Sequence, residues 1–389
     1  MTRHPSPKGR DAKPGAFDQD SASWLLLTCL PGVGPKSRAQ LLEQWPSPID
    51  LLSVTRATLG ACGLPTKAVN VIQAWQRRDR SDPVVSKVLW ILDQCSKQNI
   101  QILTFADPCY PEPLRHIHDA PWVLFALGDV SLLQREQIAI VGSRNATPSG
   151  LSLARRFAAE LSACSLLVTS GLALGVDGAA HAGALDVNAP TLAVIGCGLD
   201  NLYPGRHRPL ARRILERGLL VSEYPPGTPA RPAHFPQRNR IISGLARGVL
   251  VVEAGLKSGS LITARLAMEQ GREVFAIPGP VQSPVSRGCH HLIKQGAALV
   301  ESVEDIVAEL GASWQQSTPL GNGTGEANPL SGLEHREIAV FEALGYDPQS
   351  TDALSFTTGL SADQLMQSLL LLELQGLVTT VPGGYQRTS

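Results

Sequence analysis

The segment that decides the fold is residues 138–150, which read IAIVGSRNATPSG. Its leading apolar run fits a strand buried on both faces, and the small residues after it lead into a helical pattern. Similar short apolar runs recur downstream, separated for the most part by amphipathic segments of helix length, at residues 166–169, 191–195, 219–222, 249–252 and 274–277. Continuous apolar strands joined by helices predict a parallel sheet covered on both faces, in an α/β domain that we place at residues 131–311.

The rest of the chain divides into smaller units on either side of this domain. We expect a disordered tail over residues 1–20, a helical domain over 21–80 and a Pro-rich connecting segment over 81–130. Residues 312–330 are rich in Ser, Thr, Pro, Gly and Asn, which indicates a flexible linker. Helical patterns and a Gly-bearing hairpin in residues 331–389 predict a winged helix.

The net charge of the chain conceals two regions of opposite sign. Lys+Arg and Asp+Glu both number 34, so a globally basic nucleic-acid coat is excluded. Residues 204–247 nevertheless carry nine arginines against two glutamates, whereas residues 331–389 carry seven acids against two arginines. Because acidic residues repel phosphates, we expect the winged helix to contact protein or to regulate rather than to bind DNA.

The composition also bears on the compartment. No apolar run approaches 18 residues, so no membrane span is expected, and the polar N-terminus lacks the apolar core of a signal peptide. The seven cysteines are odd in number and include no CxxC, which favours free thiols in a reducing cytoplasm. The Cys/His cluster at 289–291 cannot complete a tetrahedral metal site alone, so we expect no metal.

Ligands of an open parallel sheet bind beyond the carboxyl ends of its strands, so the residues after each apolar run are the candidates. Several of these turns combine small residues with cations at the start of a helix, where backbone amides can hold an anion. The candidate contacts are Gly142, Ser143, Arg144, Thr147, Ser170, Gly171, Lys257, Ser258, Gly259 and Ser260. A single phosphate does not need so many anion sites, whereas a run of successive phosphates does. The alternative is that these are ordinary strand-to-helix turns.

A further candidate surface follows residues 219–222. Phe235 lies beside Arg238, Asn239 and Arg240, a pattern typical of a platform that stacks unpaired bases within a cationic rim. In the alternative, Phe235 belongs to the core and the arginines form a solvated helix face. Glu253 is unexpected next to an anion site, and we expect it to pair with an arginine or lysine.

The motifs that are absent exclude several function classes. The sequence has neither the Gly-rich dinucleotide fingerprint nor a P-loop, and it has no G-x-S-x-G nucleophile elbow. No pair of carboxylates and no H-E-x-x-H motif indicates hydrolysis. We therefore expect no catalytic residue and no cofactor. The segment 30–36, LPGVGPK, resembles a helix-hairpin-helix turn, which binds a DNA phosphate or serves packing alone.

Taken together, these segments resemble the DNA-processing protein A (DprA/Smf) family. The motifs that carry the resemblance are IVGSR at 140–144, SGLALGVDGAAH at 170–181, FPQRNRIISG at 235–244, VVEA at 251–254, SGSLITA at 258–264 and GREVFAIPG at 271–279. They occur in the family order across about 140 residues. Two positions depart from the pattern, because many members have Asn at His290 and Tyr at Ser149.

The resemblance implies a fold, an activity and partners. The fold is an extended Rossmann-like parallel sheet between an N-terminal helical domain of the helix-hairpin-helix or SAM-like type and a C-terminal winged helix. The activity is non-enzymatic: family members bind and protect single-stranded DNA during natural transformation and recombination, and load the RecA recombinase. Residues 143–144 and 235–240 would contact the DNA, with 258–260 as a further contact. Family members act as cytoplasmic dimers; Leu261–Met268 and Leu292–Val300 are the candidate dimer surfaces.

Two other functions stay open at this stage. A Rossmann-like phosphoribohydrolase acting on nucleotides is one, although the chain has KSGS at 257–260 where the Pro-Gly-Gly-x-Gly-Thr motif of those enzymes is sought. The other is a scaffold whose basic face binds acidic proteins.

Overall fold

The structure is a computed structural model that describes residues 19–45, 47–311, 335–345 and 348–387. The described chain begins with six helices: α1 (Gln19–Thr28), α2 (Pro35–Gln44), α3 (Pro48–Ser53), α4 (Arg56–Ala61), α5 (Thr66–Gln76) and α6 (Pro83–Lys97). They pack around an apolar core that includes Trp24, Leu59 and Ile72. Asp82 caps the N-terminus of α6, because its carboxylate accepts hydrogen bonds from the amides of Val84 and Val85.

A sheet of nine strands forms the centre of the molecule. In chain order the strands are β1 (Gln101–Thr104), β2 (Val123–Gly128), β3 (Gln137–Val141), β4 (Leu167–Ser170), β5 (Thr191–Val194), β6 (Leu219–Ser222), β7 (Gly248–Val251), β8 (Glu273–Ala276) and β9 (Ala298–Leu299). Their spatial order is β1-β2-β6-β5-β4-β3-β7-β8-β9. The β1–β2 and β2–β6 pairs are antiparallel, and every other pair is parallel.

Helices cover both faces of this sheet: α7 (Glu112–Arg115), α8 (Pro148–Ala163), α9 (Val176–Asp186), α10 (Arg208–Leu215), α11 (His234–Leu245), α12 (Ser260–Glu269), α13 (Arg287–Lys294) and α14 (Val303–Glu309). Successive residues of a strand point to opposite faces. Ile138 and Ile140 therefore pack in the core with α8 and α9, whereas Ala139 and Val141 pack in the core with α11 and α12. Burial on both faces explains the continuous apolar runs and confirms the predicted α/β class.

The sheet extends further toward the N-terminus than the sequence analysis expected. Strands β1 and β2 belong to the same sheet but lie within residues 81–130, which were expected to be connecting chain. Both strands have buried apolar residues, such as Leu103 and Phe125, and the prolines that suggested a connection lie between the strands. Helix α1 begins at Gln19, inside the predicted tail, and the remainder of that tail lies outside the described residues.

The C-terminal part has its own core. It contains α15 (His335–Ala343), α16 (Thr351–Thr358), α17 (Ala362–Leu374), β10 (Val378–Val381) and β11 (Gly384–Arg387). Val340, Leu354 and Leu369 pack together there. Helix α17 begins with a capping box, in which Ser361 and Gln364 satisfy each other's backbone amides. Three helices followed by a hairpin confirm the predicted winged helix. The predicted linker, residues 312–330, lies outside the described residues.

Within the described ranges, the longest and most apolar helices still fall short of what is needed to cross a bilayer.

Candidate nucleic-acid interface

The loop after β3 and the turn before α9 are joined through their backbones. The amide of Ser143 donates to the carbonyl of Glu253 at 2.7 Å, and the amide of Val176 donates to the carbonyl of Ser143 at 3.2 Å. Gly175 has φ +78°, and a Cβ at this position would overlap the Ser143 carbonyl. A glycine is therefore required there, and the carboxyl ends of β3 and β7 are held in one fixed arrangement.

Glu253 binds Thr147. The Thr147 hydroxyl donates to Glu253 Oε1 at 2.6 Å, and the Thr147 amide donates to Oε2 at 2.9 Å. The same hydroxyl accepts from the Gly150 amide and so caps α8. The expectation that Glu253 pairs with an arginine or lysine was wrong, because its carboxylate closes the N-terminus of α8. The Thr147 hydroxyl is correspondingly occupied within the protein.

Arg238 forms the floor of the site. Its side chain is buried, with the residue 4% exposed, and Nη1 donates to the carbonyl of Val194 at 2.9 Å. Its Nε is buried without a hydrogen-bond partner in the described part of the chain. The guanidinium fills the space beside Gly171, where a Cβ would overlap it. Gly171 thus serves the site by making room for Arg238.

Asp177 is the acidic group nearest this floor. Its carboxylate accepts hydrogen bonds from the amides of Gly171, at 3.1 Å, and Ala173, at 3.4 Å. Burial raises the pKa of Asp177, while the nearby Arg238 and the two amides act in the opposite direction. Burial also lowers the pKa of Arg238, which Asp177 opposes. The carboxylate and the guanidinium therefore attract each other at the floor of the cleft.

The loops after β3, β4, β7 and β8 and the first half of α11 enclose an open cleft of about 630 Å³ above this floor. Among the predicted contacts, the cleft is lined by Gly142, Ser143, Arg144, Arg238, Asn239, Lys257, Ser258, Gly259 and Ser260. Arg144 and Lys257 are exposed at its rim. The Ser258 and Ser260 hydroxyls lie 2.7 Å apart at the start of α12, and Ser258 also accepts from the Ser260 amide. The cleft therefore offers cations and a helix N-terminus to an anionic ligand.

Phe235 stands beside the cleft. The Arg144 guanidinium carbon lies 5.5 Å from the centre of the Phe235 ring, and the Tyr203 ring lies 5.6 Å from it on a tilted plane. Tyr203 is 51% exposed. The arrangement provides an aromatic surface next to a cation at the mouth of the cleft, which is suited to a stacked base followed by a phosphate.

The remaining predicted contacts point into the protein. The Ser170 hydroxyl is buried and donates to the carbonyl of Ile140 at 2.6 Å. Arg240 pairs with Glu223 and, at 3.4 Å, with Asp119, which ties α11 to neighbouring loops. Together with Thr147 and Gly171, these side chains shape the loops around the cleft and are not among its lining residues.

Several residues of the site were missed by the sequence analysis. Asn145, Ala173, Thr263, Pro284 and Val285 also line the cleft. Pro284 and Val285 follow β8, and the rule that ligands bind beyond strand ends would have pointed to that loop. Tyr203 has no comparable signal, because it lies in the long segment between β5 and α10.

The histidines and the cysteine that lie in or near these motifs make contacts inside the protein. His181 is fully buried with Nδ1 2.8 Å from the Thr191 hydroxyl, and burial lowers its pKa to about 3. His290 Nε2 donates to the Gly279 carbonyl at 2.9 Å, and Cys289 is buried. The residues that the structure describes include no group of three or more His, Cys, Asp or Glu arranged to hold a metal.

These features define a class: a protein with an extended Rossmann-like sheet, a cationic cleft at the carboxyl ends of its strands, and a C-terminal winged helix. The family model for DNA recombination-mediator protein A matches residues 101–311, and the model for the DprA winged helix domain matches residues 325–384. The chain belongs to this DprA/Smf family, as its motifs indicated. The family match begins at the first residue of β1.

Individual relatives agree with this assignment. Protein Smf from Escherichia coli is 41% identical over 312 residues, which is 78% of this chain and 80% of the relative. The X-ray structure of DNA processing protein A from Streptococcus pneumoniae superposes with a TM-score of 0.63 at 37% identity, over 76% of this chain and 99% of that chain. A structure described as showing the single-stranded DNA binding mode of the Helicobacter pylori protein has a TM-score of 0.50 at 30% identity, over 55% of this chain and 97% of that chain.

Proposed function

We propose that the protein binds single-stranded DNA in the cleft above Arg238 and acts in DNA processing during natural transformation and recombination. The observation that carries the proposal is the convergence of separate loops on one cationic cleft at a single sheet edge. The similarity to the Helicobacter pylori protein, whose structure is described by its single-stranded DNA binding mode, supports the same ligand.

The chemistry of the cleft suits an unpaired strand. Arg144 and Lys257 would contact successive phosphates, and a hydroxyl of the Ser258–Ser260 pair at the start of α12 would donate to a third. The ring of Phe235 would stack one base. In a duplex, both faces of a base are already covered by its neighbours, so this combination favours single strands. All these contacts are non-covalent, and the proposed action is binding rather than catalysis.

Further parts of the proposal concern partners. A strand held in the cleft would be protected, and loading of RecA would follow if the bound strand is presented to the recombinase. The working location would be the cytoplasm. A homodimer would use the far edge of the sheet, where Met268 of α12 and Leu299 of β9 are exposed apolar side chains. An edge strand with an exposed apolar residue is a ready site for pairing with another copy.

Oligothymidylate titration tests the central proposal. The logarithm of the affinity should fall with the logarithm of the salt concentration, with a slope of about −0.7 for each phosphate neutralised. Duplex DNA of the same length should compete weakly. A slope near zero, or equal competition by an acidic polypeptide, would contradict the proposal and favour a protein scaffold. Release of free base from nucleoside monophosphates would instead identify a phosphoribohydrolase.

A further inference from the structure

The outer face of α17 in the winged helix is apolar. Met366, Leu370 and Leu374 recur at every fourth residue and are 48%, 58% and 76% exposed. Leu371 beside them is 44% exposed, and Phe356 on the preceding helix is 93% exposed. A surface helix normally places its apolar stripe against the core, which α17 does with Leu365, Leu369 and Leu372. A second apolar stripe on the exposed side marks an interaction surface.

The charge around this stripe restricts what can bind it. Residues 337–386 contain six acidic residues and no Lys, Arg or His. The third helix of a winged helix is the one that enters a DNA groove in DNA-binding members of this architecture. Here that helix would repel phosphates, and two copies of it would repel each other. Its partner should be an apolar surface with a cationic rim.

The N-terminal helices provide such a surface. An open groove of about 580 Å³ lies among α1, α3, α5 and α6. Five of its ten lining residues are apolar, namely Ile49, Leu52, Trp75, Val85 and Leu89. Arg78 and Arg80, both exposed, also line it. The apolar residues of the groove would match the apolar stripe of α17, and its two arginines would match the acidic residues around that stripe.

We propose that α17 of the winged helix docks into this groove of the same chain. Leu370 and Leu374 would enter between Leu52 and Leu89, and Asp363, on the same face of α17, would pair with Arg78 and Arg80. The chain from Gly311 to His335 is long enough, because its 24 peptide steps span up to about 80 Å when fully extended. Such docking would fix the acidic domain beside the helical domain and leave the DNA cleft open.

Photo-crosslinking of the full chain tests the docking. With p-benzoylphenylalanine in place of Leu374, we expect crosslinks within one chain to residues 49–53, 75–80 or 85–89. The same photo-reactive residue in place of Ala353, exposed on α16, is the control and should give no such products. Crosslinks confined to a second chain, or to the loops of the DNA cleft, would overturn the proposal, as would the absence of crosslinks to the groove.

Charge variants of the full chain give a second test. Arg78→Glu with Arg80→Glu should reduce the crosslink yield about fivefold, the size expected for two exposed ion pairs. Lys67→Glu, an exposed charge reversal on α5 outside the groove lining, is the matched control and should leave the yield unchanged. Adding Asp363→Arg to the double variant should restore part of the yield. An unchanged yield in the double variant, or a loss that Asp363→Arg does not restore, would overturn the proposed orientation. Circular dichroism confirms that each variant folds.

Discussion

The cleft above Arg238 and the winged helix differ in almost every property that governs ligand choice. The cleft is built from loops that place Arg144 and Lys257 above the buried Arg238 of α11. The winged helix presents leucines and carboxylates on the helix that would conventionally read DNA. The comparison teaches that the architecture of a domain does not determine its ligand. The charge and polarity of the side chains on its surface determine the ligand. The zero net charge of the whole chain conceals the basic and the acidic region.

The largest effect is expected from Gly171→Ala, which tests whether the cleft depends on its buried arginine. The new Cβ would displace the Arg238 guanidinium and break its bond to the Val194 carbonyl. Urea unfolding should show that the free energy of unfolding falls by about 3 kcal/mol, and DNA affinity should fall about tenfold or more. Gly60→Ala, on α4 and outside the cleft lining, is the control, because apart from its own helix and chain neighbours no atom lies within 4 Å of its Cβ. If the Gly171→Ala variant is as stable as the wild-type protein, Arg238 has room to move and the prediction is wrong.

The second prediction compares one aromatic ring in the cleft region with one in the winged helix. Phe235→Ala should weaken oligothymidylate binding by about 1–3 kcal/mol, because a stacked base would lose its platform. Phe356→Ala on the winged helix removes a more exposed ring and should leave the affinity unchanged. Fluorescence anisotropy with labelled oligothymidylate measures both. If the two variants behave alike, the assignment of base stacking to the cleft is incorrect.

The two regions should also respond differently to acid. Burial lowers the pKa of His181 to about 3, from the ordinary histidine value of 6.5, so between these pH values the unfolded chain binds a proton that the folded chain does not. Stability should therefore fall as the pH drops below 6.5, by about 1 kcal/mol over the first unit and by up to about 1.4 kcal/mol per unit below that. Hydrogen exchange should show this loss in α9 and not in α17, because residues 337–386 contain no histidine. His181→Gln should reduce the pH dependence, and an unchanged dependence would assign it to other groups.

The smallest effect concerns the salt dependence of DNA binding. Lys257→Ala should lower the affinity modestly and make the salt slope shallower by about 0.7, the contribution of one phosphate on a single strand. Asp363→Lys adds a cation to the winged helix and should leave the slope unchanged, since that domain lies outside the proposed DNA path. Titrations at a series of salt concentrations decide the matter. A steeper slope for Asp363→Lys would place the winged helix next to the bound strand.

Most of the fold could be predicted from sequence, because strands that are buried on both faces of the sheet appear as continuous apolar runs. Strands β3 to β8 appear as uninterrupted apolar runs, each within about one residue of its observed position. Strands β1 and β2 escaped because they pair antiparallel at one side of the sheet and have prolines between them. β1 shows only partial burial, and a four-residue strand of that kind gives too weak a periodicity.

That the named residues contact DNA stays a prediction, but their placement around the cleft was predicted better for backbones than for side chains. Gly142 to Arg144 and Lys257 to Ser260 were found because small residues after a strand have a specific geometric use. The burial of Arg238 could not be predicted, because it depends on Gly171 and Val194, which are distant in sequence. The partner of Glu253 is likewise a long-range hydrogen bond, to Thr147. Such contacts depend on the packing of loops rather than on local pattern.

The antiparallel extension of the sheet has a practical consequence for fragments of this protein. Strand β6 is paired with β5 on one side and with β2 on the other, and all its residues are buried. A fragment beginning at residue 131 would lack β2 and present an apolar, unsatisfied row of amides and carbonyls to solvent. Such an edge recruits strands from other molecules. Aggregation of that fragment would reflect the missing neighbour of β6 and would carry no information about the natural oligomer.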